Sequence, residues 1–165
     1  MATITVLHDP AGDDPDAQQR YAAARRHLLE LPPLQQLEYT IGALEQASGS
    51  LRYLADYQTT PGPKAHLASL ADRTLASART LDPRHADRCD AGAARARWQL
   101  ERQDVDAAFD AIADALHEAT AALMLTVSIV HAGERAAVTA LAGELAAVAA
   151  DTSYAAASRP SAAAA

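Results

Sequence analysis

Between residues 104 and 131 the chain reads as one amphipathic helix whose two halves differ on the outside. Val105, Phe109, Ile112, Leu116, Ala119, Leu123, Val127 and Val130 recur in steps of three and four, the spacing of a single helical face. Opposite that seam the first half carries Asp106, Asp110, Asp114 and His117, and the second half Met124, Leu125, Ser128 and Ile129. The pattern predicts one end with its acidic stripe in water and another end covered on two sides. Gly133 stands where a glycine would end the helix.

The same reading upstream gives four more helices. Residues 16–31 begin at Asp16 as N-cap, turn Tyr21, Ala24, Leu28 and Leu31 inward, and stop at Pro32-Pro33. Residues 33–58 carry a seam of Leu34, Leu37, Ile41, Leu44, Ser48 and Leu51. Tyr39, Gln46, Tyr53 and Tyr57 project roughly opposite, with Gly42 and Gly49 leaving a shallow groove beside them. The loop TTPGP separates them from residues 64–81, whose seam is Leu67, Leu70, Thr74, Ala78 and Leu81. Asp82-Pro83 opens a helix over residues 83–102; Asp104 can cap the long one separately, the favoured reading, although nothing but Gly92 interrupts a single rod over residues 83–131.

A last helix, residues 134–151, turns Val138, Leu141, Leu145 and Val148 to one side and is expected to fold back on the apolar half of the long helix. The β-branched run TITVL near the start is strand-like but has no partner, so residues 1–15 are expected to form a short extended arm. Residues 152–165 read as a disordered tail. The expectation is an all-α bundle of five or six mainly antiparallel helices over residues 16–151, with the second and fifth helices at its centre.

Composition sharpens this. A chain of 165 residues that is 50% hydrophobic suffices for one domain with its own core. Only 4% is aromatic, so the core must come from Leu, Ala, Val and Ile with close helix approaches. Such a thin core raises the expectation of a homodimer. The net charge of −7 argues against a fold-wide positive field for nucleic acid or anionic lipid. The most apolar window, residues 119–130, is short of a membrane span, and the first residues lack a signal peptide's basic segment and apolar run. A cytoplasmic location is expected.

Candidate chemistry is sparse. Asp110, Asp114 and His117 share one helical direction, but metal sites in bundles project into the core, and Glu-x-x-His pairs are absent. His85 and Cys89, with Asp82 a turn earlier, would make half a zinc site with no second half. A single cysteine also excludes an internal disulfide. Arg84, Arg88, Arg95 and Arg102 form a stripe with Trp98 to one side, suited to an acidic protein, a phosphate, nucleic acid or neighbouring carboxylates, nucleic acid being the least favoured because Asp87, Asp90 and Glu101 are interspersed. No nucleophile elbow, phosphate-cradling loop or dinucleotide fingerprint occurs, so no catalytic residue, metal or cofactor is assigned.

The expected function is non-enzymatic and works through helix-face contacts, as a homodimer or with a protein partner. The candidate surfaces are the tyrosine face, the arginine stripe with Trp98, and the apolar set Met124, Leu125 and Ile129. The alternative is a small apolar ligand held in a cavity between helices.

Overall fold

The structure, a computed structural model, describes residues 12–158, among which there are six α-helices and no strand. They are α1 (Pro15–Glu30), α2 (Pro33–Tyr57), α3 (Pro61–Leu81), α4 (Ala86–Glu101), α5 (Val105–Thr126) and α6 (Ala132–Ala157). A single 3-10 turn, Pro83–His85, leads into α4. The separation of α4 from α5 follows the expected capping, since Asp104 accepts a hydrogen bond from the Ala107 amide at 2.9 Å. Residues 1–11, which contain the TITVL run, lie outside the described residues, as do residues 159–165.

Long-range contacts give the helix directions. Arg20 of α1 reaches Asp110 and Asp114 of α5, and Tyr39 of α2 meets His27 of α1 and Glu118 of α5. At the far end Tyr57 of α2 packs edge-on against Phe109 of α5. Odd-numbered helices therefore run one way and even-numbered helices the other. The α1–α2 and α5–α6 corners share one end of the bundle, and the starts of α1, α3 and α5 share the other.

The expected central pair is present. α2 packs most heavily on α3, α4 and α5, whereas α5 packs most heavily on α6, α2 and α1. Leu44, Leu51, Leu70, Ile112, Leu116 and Leu145 fill the space between them. Alanine at many remaining contact positions lets the helices close in. A close backbone approach is at Gly49, where an added Cβ would lie 2.5 Å from the Ala93 carbonyl oxygen and 2.7 Å from the Ala96 Cβ of α4. The groove expected beside Gly49 is therefore filled by α4, while Gly42 remains open.

Several boundaries shift for local reasons. α1 is capped by Asp14 rather than Asp16. The Asp14 carboxylate accepts from the Asp16 and Ala17 amides, and Pro15 occupies the first helical position, where its missing N–H does no harm. α3 likewise starts at Pro61, three residues before the expected Lys64.

The long helix ends at Thr126, five residues before the expected His131. Thr126, Val127, Ile129 and Val130 are β-branched and poor helix formers, and the Ser128 hydroxyl bonds the Leu125 carbonyl at 2.7 Å. The Val130 amide returns to the Thr126 carbonyl, closing a turn without glycine. Gly133 instead lies in the first turn of α6. α6 also continues six residues beyond the expected Asp151, with Thr152 and Ser153 buried, so the expected tail is helical as far as Ala157. No helix among the described residues is long and apolar enough to cross a membrane.

Candidate functional site

Four places combine exposed or polar groups with geometry that can do something. The first lies beneath α1. Arg20 is held by three carboxylates, Asp16 at 2.7 Å, Asp114 at 2.7 Å and Asp110 at 2.9 Å. Burial opposes its charge, but these hydrogen bonds outweigh it and hold the guanidinium firmly charged. The acidic stripe is thus a clamp for α1.

His117, expected on the outer acidic face, is only 1% exposed. α1 and α6 cover that direction, and Ser153 Oγ lies 2.9 Å from its Nε2. Burial, reinforced by the nearby Arg20 charge, pushes the imidazole down to about 4, so the ring is neutral near pH 7. Its Nδ1 is buried without a partner. We assign the proton to Nε2, donated to Ser153, because Nδ1 is then a bare lone pair rather than an unmet donor. A hydroxyl beside an imidazole has the form of a nucleophile and its base. Here both groups are buried and no acid orients Nδ1, so the pair fastens α6 to α5.

Beside it, burial and the Asp114 charge raise the Glu118 carboxyl, opposed by a hydrogen bond from Tyr39 and the charge of His27. Burial and Glu118 in turn push the Tyr39 hydroxyl up. Tyr39 therefore belongs to an internal network and is half-buried, not presented on a free face.

The second place is a groove of about 570 Å³ between α2, α3 and α4. Arg52 pairs with Asp72, Arg79 with Asp90, and Arg97 with both Asp56 and Glu101. These arginines, which spacing did not single out, join α2 to α3, α3 to α4 and α4 to α2. Trp98 lines the groove, and the Arg102 guanidinium sits 4.6 Å from its ring centroid. Arg84 belongs to the 3-10 turn and not to α4, so the expected four-arginine stripe is broken at its first member. Arg88 and Arg95 are exposed on α4.

Cys89 is buried and donates to the Glu45 carboxylate. Burial first, then the Glu45 charge, raises the thiol, which keeps it protonated and unsuited to nucleophilic attack. Among the described residues no group of three or more His, Cys, Asp or Glu side chains is arranged to hold a metal ion.

The third place is a pocket of about 450 Å³ between α2, α3, α5 and α6, near the start of α5. Leu54, Leu67, Phe109 and Val148 form its apolar walls, and His66, Glu144 and Asp151 are on its polar rim. Tyr53 and Tyr57 stack at this end with centroids 6.5 Å apart. Tyr53 packs partly on the core and Tyr57 is half exposed, whereas Gln46 of the expected tyrosine face is simply exposed.

The fourth place is the opposite end. Ile129 is 83% exposed in the turn after α5, contrary to the expectation that it is covered, because the helix has already ended. Met124 and Leu125 are partly buried against the core, in line with the expected cover. Leu34 and Leu37, expected in the α2 seam, are exposed in its first turns, and Leu29 in the last turn of α1 is exposed as well.

Comparison with protein-family models, with curated proteins and with solved structures finds no match to this chain.

Proposed function

We propose that this protein acts through helix-end contacts as a homodimer. The carrying observation is the set of exposed aliphatic side chains at the end of the bundle that holds the α1–α2 and α5–α6 corners: Leu29 at 54%, Leu34 at 79% and Ile129 at 83% exposed, together with Leu37. Scattered single exposed leucines need no explanation, but four large aliphatic residues at one end of a small bundle do. The surrounding charges favour a second copy. Arg25, Arg26 and Glu30 of α1 and Glu38 of α2 are exposed toward this end, charges of both signs that a two-fold arrangement can pair between copies.

The test is sedimentation equilibrium of the full chain up to millimolar concentration, beside the paired substitution Leu34→Lys and Ile129→Lys. Both side chains lie in solvent, so the variant keeps its helical content. A concentration-dependent dimer that the paired substitution abolishes supports the proposal. A monomer throughout, or dimerisation unaffected by the substitutions, overturns it, and specific capture of a different protein on this end would replace the second copy with an adaptor role.

A further inference from the structure

We infer that the pocket between α2, α3, α5 and α6 is a binding site for a small primary amine carried on an apolar body, such as an arylalkylammonium. This inference concerns the end of the bundle opposite the proposed dimer contact and does not depend on it. The pocket's volume of about 450 Å³ lies within the range of small-molecule sites, and its walls are apolar. Leu54, Leu67 and Phe109 are largely buried and come from three different helices, so the walls are fixed by the core. Phe109 is braced edge-on by Tyr57, with ring centroids 5.4 Å apart.

The rim decides the charge of the ligand. Glu144 and Asp151 are seven residues apart on α6, hence on one face about two turns apart. Glu144 is already held by both terminal nitrogens of Arg73, and that hydrogen-bonded pair keeps its carboxyl below the usual range. Arg73 is thereby occupied, and the pair is close to neutral. Asp151 is exposed and, among the described residues, has no cationic partner. Thr152, beside it, spends its hydroxyl on the Val148 carbonyl. What remains at the mouth of an apolar pocket, beside the His66 ring, is the Asp151 carboxylate without a salt-bridge partner, in a protein of net charge −7 that concentrates cations and repels anions. An ammonium placed at Asp151 lets a ring or branched alkyl group descend toward Phe109 and Val148. A carboxylate ligand of the same shape meets repulsion at the mouth.

Phenethylamine and 3-phenylpropionate are the probes, with binding read from amide and methyl chemical shifts of the full chain. Phenethylammonium is expected to shift Leu54, Leu67, Val148 and Ala155 saturably, and 3-phenylpropionate to bind at least about threefold more weakly, the scale of one exposed ion pair. Asp151→Asn, a change at an exposed site, should narrow that gap by weakening the amine and relieving the repulsion of the acid. Val148→Trp should fill the pocket and remove saturable binding of both probes. Absence of saturable shifts at these residues overturns the inference. So do equal affinities for the two probes, or an Asp151→Asn variant that binds both as before.

Discussion

The α2–α4 and α1–α5 contacts join helices that both depend heavily on alanine, yet they hold by different means. At α2–α4, Gly49 brings the backbones so close that the packing of Ala93 and Ala96 does the work. At α1–α5, α1 buries only Ala17, Ala24 and Leu28, and polar groups do much of the rest: Arg20 is gripped by three carboxylates, and His117 and Ser153 lie beneath. A chain poor in large apolar side chains can gain contact by shortening the interhelical distance or by placing charges around the seam. The first contact, whose polar links are the Arg97–Asp56 pair and the Cys89–Glu45 hydrogen bond, should respond less to salt but tolerate no added atom at Gly49. The second should tolerate volume and respond to pH and salt.

The largest expected effect is in acid, at the His117–Ser153 link between α5 and α6 that lies beneath the second contact. His117 holds a proton only near pH 4 in the fold, against about 6.5 when unfolded. As pH falls through 6.5 the unfolded chain takes up the proton first. Stability present above that pH is lost progressively and is gone below about 4, on the order of 3 kcal/mol. Glu45 and Glu118 act with the opposite sign, because a raised carboxyl pKa returns stability as pH falls. Urea midpoints of wild type and His117→Gln across this range isolate the histidine, and parallel curves would refute its role.

Next is Gly49→Ala, which drives a methyl group into α4 and should cost about 2–3 kcal/mol at every pH in denaturant unfolding. A near-neutral effect would mean that α4 can move off α2 freely. Arg20→Met should cost about 1–2 kcal/mol, since its carboxylate partners are substantially exposed and each pair is individually weak. Its loss should also quicken amide exchange in α1 ahead of the other helices, with added salt shrinking the difference from wild type. The smallest effect is a gain. Gly42→Ala meets nothing within 4 Å and should stabilise α2 by about 0.5–1 kcal/mol, in contrast to the other glycine on the same helix.

Much of the fold was legible before any coordinates. The seams of α2 and α3, the break before Asp104 and the hairpin of α6 onto α5 follow from apolar spacing, prolines and a capping aspartate. The later turns of α6 were legible in principle, since Leu145, Ala149, Thr152 and Ser153 continue one face in steps of four, three and one. Two small hydroxyl residues after Asp151 read instead as the start of a polar tail. Leu34 and Leu37 show the reverse error: an apolar spacing in the first turns of α2 that the fold leaves exposed.

The candidate sites were less legible. Trp98 and Arg102 do meet, as their spacing on one helix suggests. The arginines that join helices, Arg20, Arg52, Arg73, Arg79 and Arg97, have their cross-helix partners on other helices, beyond the reach of spacing within one helix, and nothing local marks them. Asp110, Asp114 and His117 illustrate the limit well. Their spacing places them in one direction on α5, and that much is true. Whether that direction is water or another helix depends on α1, almost a hundred residues earlier.

What the sequence determined alone is therefore the set of helices and most of their ends, because hydrogen bonds from residue to residue along a turn, caps and proline stops act within a few positions. Tertiary structure alone decided which faces are covered. Alanine-rich helices present weakly distinguished faces, so burial is settled by the neighbour that arrives. That is why a histidine on an acidic stripe lies in the core, and why an isoleucine in an apolar run stands in solvent.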